Sequence, residues 1–315
     1  MTKVYDFDVV ILGGGPAGLS SAIYAARGNV STAIVDINTF GGQPVNYTTL
    51  ENYPGYIGCD SFTLMENFEK QAEEFGVKSF PMQEILTVDL ISTPKTILTT
   101  EAKFSAKTVI IATGATPMKL GIKGESEFTG RGVSYCAVCD GAFYKDKIVA
   151  VVGGGNSAVE EAMYLTRFAQ KVYLIHRRNE LRADKIIQER LKDCDKIELL
   201  YNTTVKEIHG EDNVSSVTLC DTLTNECHEL KTDGVFPYIG ICPNVNLFSG
   251  QLKQDSKGFI NTDNTMKTSI DGVYAVGDVR NTPLRQVITA ASDGAIGAVY
   301  AVKYLEEIKD KILQQ

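Results

Sequence analysis

The chain has 315 residues, 43% of them hydrophobic and 22% charged, with a net charge of −8 and a pI near 5.1. This is the composition of a globular protein long enough for two domains, and its acidic balance offers no basic face to nucleic acid. Seven cysteines do not make a secreted disulfide framework, and the apolar run at residues 9–12 is too short for a signal peptide or a membrane span, so the expected location is cytoplasmic.

Residues 6–12 (DFDVVIL) form a continuous β-branched run closed by glycine, the pattern of a buried strand. Gly13, Gly15 and Gly18 follow in a Gly-x-Gly-x-x-Gly spacing, and residues 19–27 continue as a small-residue helix. Gly13 makes the tight turn, Gly15 lets a pyrophosphate approach the backbone, and Gly18 lets helix and strand pack closely. The pyrophosphate would sit at the helix N-terminus. A second strand at residues 31–35 ends at Asp36, 23 residues beyond Gly13, where a carboxylate accepts from ribose hydroxyls. A glycine-rich turn without a ligand is the alternative; the strand, helix and acid in their places argue against it.

The stretches FGGQ, with Gly42 and Gln43, and ENYPG, with Asn52, are turn-rich loops that either wrap a bulky cofactor or simply connect. A helix is predicted over 61–75, capped by Ser61, with Leu64, Phe68 and Phe75 on its packing face. Alternation over 84–104 predicts an antiparallel layer, and 107–112 another buried strand. Residues 119–132 carry four glycines without a strong period, which places a domain boundary near 116–119.

Cys136 and Cys139 come next, three apart and followed at once by Asp140. Such a pair can close a short disulfide at a helix start, where the thiolate is favoured, and Asp140 can exchange protons with a departing sulfur. Half a zinc site is the competing reading, but zinc needs a second close pair, which Cys59, Cys194, Cys220, Cys227 and Cys242 do not supply. Two inert buried thiols are a poorer fit beside Asp140.

The first motif then repeats. VVILGGGPAGLSSAIYAAR near the start matches VAVVGGGNSAVEEAMYLTR in register, so residues 148–152 are a strand, Gly153, Gly155, Asn156 and Ser157 the loop, and a helix runs to 169. The strand at 171–175 ends at His176, again 23 residues on, where the first copy has Asp36. Arg177, Arg178 and Arg182 follow; a guanidinium cluster suits a ribose 2′-phosphate, so the second copy is read as preferring NADP over NAD. A solvated charged face is the bland alternative.

Residues 203–209, 214–224 and 229–231 suggest a second antiparallel layer, with Cys220, Cys227 and Cys242 in or near it as structural or incidental residues, and 235–239 a returning strand. DGVYAVGD is a strand ending at Asp278, which can bond a sugar-alcohol hydroxyl. Residues 284–304 read as a helix packed closely through small residues, its N-terminus near Arg285 and Gln286 able to face a flavin ring.

GGGPAG, GGQ, ENYPG, ATGA, YCAVCDGAFY, GGGNSAVEEA, HRRNELRA, IGICPN, VYAVGD and RQVITAASDGA follow one another along essentially the whole chain, which closely resembles the low-molecular-weight thioredoxin reductases of bacteria. The resemblance implies an α/β fold of two Rossmann-like domains with antiparallel layers. Residues 1–116 and 245–315 would bind FAD, and 117–244, inserted between them, NADPH. On that pattern Gly13, Gly15, Gly18, Asp36, Gly42, Gln43, Asn52, Asp278, Arg285 and Gln286 would contact FAD. Gly153, Gly155, Asn156, Ser157, Arg177, Arg178 and Arg182 would contact NADPH. Cys139 would lie against the flavin, Cys136 would attack the disulfide of a thioredoxin, and Asp140 would serve as acid and base. The family is homodimeric, and its inserted domain rotates on links that correspond to Thr116 and Pro243. Ala142 departs from the bulkier residue often found there, while Phe143 remains. Some relatives that take electrons from ferredoxin lack the arginine cluster, and some oxygen-using dithiol oxidases also lose the nicotinamide motifs; both features stand here, and a flavin-bound sensor would not need both glycine loops.

Overall fold

The computed structural model describes residues 3–46, 50, 52–57 and 60–313; Glu51 and Cys59 lie outside them. The chain forms two compact units, Met1–Thr116 with Cys242–Gln315, and Pro117–Ile241 inserted between. In chain order the first unit holds β1 (Lys3–Leu12), α1 (Pro16–Arg27), β2 (Thr32–Val35), α2 (Ser61–Glu74), β3 (Lys78–Phe80), β4 (Ile85–Asp89), β5 (Lys95–Thr99) and β6 (Ala102–Ile111). The link β7 (Ala115–Pro117) leads out of it. The inserted unit holds α3 (Ala137–Asp140), β8 (Ile148–Gly153), α4 (Asn156–Leu165), β9 (Lys171–Ile175), α5 (Lys185–Lys192), β10 (Ile197–Leu200), β11 (Thr203–Gly210), β12 (Val214–Asp221), β13 (Cys227–Lys231) and β14 (Gly234–Tyr238). The link β15 (Ile241–Pro243), paired with β7, returns to β16 (Val273–Ala275) and the long α6 (Val287–Leu313).

The fold class is the expected one: two Rossmann-like parallel sheets, each with helices on one face and antiparallel strands on the other. In the first unit β3-β2-β1-β6 run parallel, with β16 beside the end of β6 and β5-β4 continuing antiparallel from its beginning. The buried end of β1 shows why its apolar run is continuous. Val9 and Ile11 face the helices and pack with Leu19, Ala22 and Ala298, whereas Val10 and Leu12 join Val88, Ile97 and Phe104 on the opposite side. Each such buried side chain contributes about 1.5–3 kcal/mol relative to exposure. The small-residue stripe of α6 has an equally direct cause. Ser20 Oγ donates to the Ala291 carbonyl (2.7 Å), Ser21 Oγ donates to that of Gly294 (3.0 Å), and a Cβ on Gly294 would collide with the Ala17 carbonyl.

The inserted unit repeats the scheme. β10-β9-β8-β14 form a parallel sheet and β11-β12-β13 an antiparallel one. Val149 and Val151 of β8 pack on Ala158, Ala162 and Leu165, while Ala150 and Val152 meet Val205, Val217 and Leu219.

Several local expectations are corrected. Asp60, not Ser61, caps α2: its carboxylate accepts from the N–H groups of Phe62 (3.1 Å) and Thr63 (3.3 Å), whereas the Ser61 hydroxyl is buried and has no partner among the described residues. The helix α4 stops at Leu165 rather than 169, where the Thr166 hydroxyl donates to the Met163 carbonyl and the chain turns into β9. The stretches predicted at 84–104 and 107–112 share one strand, β6, whose first half pairs with β5 and whose second half pairs with β16. Cys220 and Cys227 form a second disulfide, because the β12–β13 register sets them opposite one another. No helix among the described residues is long and apolar enough to cross a membrane.

Candidate active site

Cys136 and Cys139 are joined in a disulfide with their Cα atoms 5.3 Å apart. Cys136 is the N-cap of α3, so the short helix begins inside the pair. The Cys139 N–H points at Cys136 Sγ from 3.1 Å, a donor for the thiolate formed when the bond opens. Two groups not anticipated from the sequence set this turn. The Ser134 hydroxyl accepts from the Cys136 N–H (3.1 Å), and the Tyr238 hydroxyl accepts from the Ala137 N–H (2.6 Å). Burial raises the Asp140 carboxyl above its ordinary range, partly offset by a hydrogen bond from Ser134. Val138 and Phe143 are left exposed beside the pair.

The first glycine loop is built as its spacing requires. Gly13 has φ +109°, and a Cβ there or on Gly18 would strike backbone carbonyls of Ala112 or Gly13. Gly15 is different: its Cβ would meet nothing nearer than Gly42 Cα at 3.6 Å, so that side of the loop stays open for a ligand. Asp36 lies at the end of β2, where Oδ2 accepts from the Gly14 N–H (2.6 Å) and Oδ1 from that of Asn38 (2.8 Å). Burial nevertheless raises its pKa, and these backbone donors only moderate the shift.

Two further pairs lie in the same unit. The Asn52 amide donates to Gln286 Oε1 at 3.0 Å although 234 residues separate them. Asp278 is pushed up to about 6 by burial, with Arg285 pulling it down and Asp293 pushing it further up. Arg285 lies over the Phe259 ring at 4.3 Å, and its buried Nε has no partner among the described residues. An open glycine turn, a buried carboxyl with a raised pKa and an orphaned guanidinium nitrogen are what a dinucleotide with a polar sugar chain satisfies, so the residues fit FAD. Gln43 is exposed at the start of a short turn of 3₁₀-helix.

The second loop differs in kind. A Cβ on Gly153 would meet the Tyr238 carbonyl, one on Gly154 would meet the His176 ring, and one on Gly155 would meet nothing within 4 Å. Beside it lies a cleft of about 390 Å³ lined by Gly153, Gly154, His176, Arg177, Arg182 and Lys206. His176 is buried, its Nε2 has no partner among the described residues, and burial together with Arg182 holds its pKa below the ordinary value. Arg177, Arg178 and Arg182 are exposed, and Arg178 is not among the cleft-lining residues. Asn156 is a strut: its amide donates to Asp184 (2.7 Å) and its Oδ1 accepts from the Asp184 N–H (2.8 Å). Ser157 is exposed on the first turn of α4. The cleft, its cations and the unpaired imidazole nitrogen fit a phosphorylated nucleotide such as NADPH. Sequence reasoning missed Lys206, which in the sequence is one charge beside Glu207 in a predicted strand.

Comparison with known proteins agrees with this geometry. Residues 7–294 match the model of the pyridine nucleotide-disulphide oxidoreductase family. The chain is 45% identical over 313 residues to the thioredoxin reductase of Bacillus subtilis (strain 168), covering 99% of both chains. It is 45% identical over 306 residues to that of Treponema pallidum (strain Nichols), covering 97% of this chain and 99% of the other. The crystal structure of thioredoxin reductase from Streptococcus pyogenes MGAS5005 superimposes with a TM-score of 0.90 at 45% identity, covering 96% of this chain and 99% of that one. By glycine loops, dithiol and likeness over its whole length, the chain belongs to the thioredoxin reductases of the pyridine nucleotide-disulphide oxidoreductase family.

Proposed function

We propose that this chain is an NADPH-dependent flavoprotein disulfide reductase that reduces a thioredoxin through FAD and the Cys136–Cys139 dithiol. The bonded pair at the head of α3, in the same unit as an arginine-flanked nucleotide cleft, carries this reading. Residues 1–116 and 245–315 are assigned as the FAD-binding domain and 117–244 as the NADPH-binding domain. The flavin, when bound, relays two electrons between a nicotinamide and a disulfide.

Gly13, Gly15 and Gly18 receive the FAD pyrophosphate, Asp36 a ribose, and Asp278 the sugar-alcohol chain. Gly42, Gln43, Asn52, Arg285 and Gln286 border the remainder of the cofactor. Gly153, Gly155, Asn156 and Ser157 shape the NADPH pyrophosphate site, and Arg177, Arg178 and Arg182 take its 2′-phosphate. Cys139 would be the cysteine that exchanges electrons with the flavin when the cofactor is bound. The Cys136 thiolate attacks the partner's disulfide, and Cys139 then displaces the partner from the mixed disulfide. Asp140, whose pKa burial raises, keeps a proton nearer to neutral pH than a solvated aspartate and delivers it to the departing thiolate.

A flavin-dependent dithiol oxidase or a ferredoxin-fed reductase would have no use for the arginines beside the second loop. We assign the protein to the cytoplasm, with no nucleic-acid or membrane partner. We also assign it to a homodimer through the face of the first unit where Tyr24 and Ile288, 46% and 40% exposed, rim a groove between α1, α2 and α6.

The test is an anaerobic NADPH titration of the holoenzyme followed by flavin absorbance. A flavin coupled to a disulfide takes up about two hydrides per subunit, one for each two-electron centre, falling to about one in Cys139→Ser. A flavin that NADPH does not bleach refutes the assignment.

A further inference from the structure

Cys220 and Cys227 play no part in the reaction above, yet they form a second disulfide within the inserted unit. They are directly opposite in the antiparallel register of β12 and β13, with Cα atoms 4.1 Å apart. Cys220 is buried, whereas Cys227 is exposed. The pair therefore has one sulfur that a small thiol or disulfide can reach and one that can resolve the resulting adduct.

The bond closes a hairpin whose other contacts lead to the nucleotide cleft. Within the hairpin, the Asp221 carboxylate accepts from the N–H groups of Leu223 (2.7 Å) and Thr224 (2.9 Å), and the Asp221 N–H donates to the Glu226 carbonyl (2.9 Å). From it, the Thr222 N–H donates to the Asn202 carbonyl (2.6 Å) and the Thr222 hydroxyl to the Arg177 carbonyl (3.5 Å). Asn202 and Thr203 in turn donate their N–H groups to the carbonyls of Arg178 (3.0 Å) and His176 (3.0 Å). Thr203 is also the β11 partner of Asp221. The consecutive carbonyls of His176, Arg177 and Arg178 are thus all held by the hairpin or by the strand end to which it is pinned.

We propose that Cys220–Cys227 is a second thiol–disulfide exchange site, for low-molecular-weight disulfides and dithiols, whose oxidation state sets NADPH affinity by clamping the arginine loop. The proposal rests on the assignment of that loop to the 2′-phosphate. In the oxidising direction, the Cys227 thiolate attacks a small disulfide RSSR; the S–S bond breaks, a Cys227–SR mixed disulfide forms, and RS⁻ leaves and takes a proton. Cys220, giving up its own proton, attacks the Cys227 sulfur and expels the second RS⁻. Two protein thiols are oxidised, one RSSR is reduced, and two RSH are formed. A dithiol reverses the sequence. The closed bond keeps the hairpin end in register, so Thr222 and Asp221 hold residues 202–203 against the loop. The open pair lets this end fray and costs the loop its backbone anchors.

The experiment equilibrates the holoenzyme in oxidised and reduced dithiothreitol buffers, alkylates it, and maps the cysteines by peptide mass. In parallel it measures the Kd of NADP⁺ by calorimetry in each buffer. Cys220 and Cys227 should pass together from protected to alkylated, and NADP⁺ should bind about fivefold more weakly once they are reduced, the low end of common coupling strengths. Cys227→Ser, at an exposed position and with Cys136–Cys139 still able to switch, should bind weakly in both buffers and show no buffer dependence. Alkylation of Cys220 and Cys227 in every buffer, or an equal Kd in both states of the wild type, overturns the proposal and leaves the 2′-phosphate assignment standing. Absence of NADP⁺ binding in either state refutes both.

Discussion

Asp293→Ala removes the acceptor at the centre of the turn that carries Asp278. Asp293 Oδ2 accepts from Arg280 Nη1 at 2.9 Å and from the Gly277 N–H at 3.2 Å, and the paired side chains of Arg280 and Asp293 are only 12% and 13% exposed. After truncation, the remaining anchor of Arg280 is the neutral Thr262 hydroxyl at 2.7 Å. Breaking a buried pair from one side costs about 3–5 kcal/mol, because the other charge stays desolvated. A fully orphaned Gly277 N–H would add about 1–3 kcal/mol, but water entering the space left by the carboxylate offsets part of it. The expected loss is therefore about 4 kcal/mol. At about 2–4 °C per kcal/mol for a unit of this size, the Tm should fall by roughly 8–16 °C. Thermal unfolding followed by circular dichroism and by flavin fluorescence measures it. The double variant Arg280→Met/Asp293→Leu removes both charges and should recover most of the loss. A drop below about 1 kcal/mol, the range of a surface pair, refutes this account, as does a double variant no more stable than the single one.

Arg177→Ala and Arg178→Ala should each raise the KM for NADPH about tenfold to a hundredfold, the loss of one charge-assisted hydrogen bond, and leave weak NADH use unchanged; steady-state kinetics with both donors checks it. The Asp278 pKa is raised from 3.8 to about 6, so the folded apoprotein binds the extra proton and the stabilisation is lost as pH rises through that window. Asp278→Asn should therefore make the apoprotein more stable than wild type above pH 6, by about 3 kcal/mol, with the difference vanishing by about pH 4 in urea titrations. Gly18→Ala should destabilise the fold by about 1–3 kcal/mol through its clash with Gly13, whereas Gly155→Ala should leave stability nearly unchanged and weaken NADPH binding; denaturation and nucleotide titration separate the two.

The parts that the sequence made legible are those fixed by local pattern. The continuous runs ending at Leu12 and Val152, the glycine loops after them, and the stops at Asp36 and His176 each follow from steric rules acting over fewer than about ten residues. The unread parts depend on partners far away in sequence. The Asn52–Gln286 contact joins a loop to a helix start, and the Arg280–Asp293 pair is hidden because Asp293 stands in a stripe of small residues that reads as packing. Cys220 and Cys227 meet only because β12 and β13 take one register, and a slip of one residue would separate them. The cap of α2 was misplaced for a narrower reason: Asp60 and Ser61 are both capping types, and only the backbone shows which one precedes the first turn.

The nesting of one unit inside the other also orders the birth of the protein. As the chain leaves the ribosome, residues 109–111 emerge long before Val273–Ala275, the strand that pairs with them, and all of Pro117–Ile241 is made in between. The inserted unit is contiguous and can complete its sheet at once. The first unit waits with an open edge on β6 and with the face of α1 that Ala291 and Gly294 later cover still wet. An unpaired strand edge is a template for association with other chains. The inserted unit is therefore finished first, and the first unit stays vulnerable until the final helix arrives.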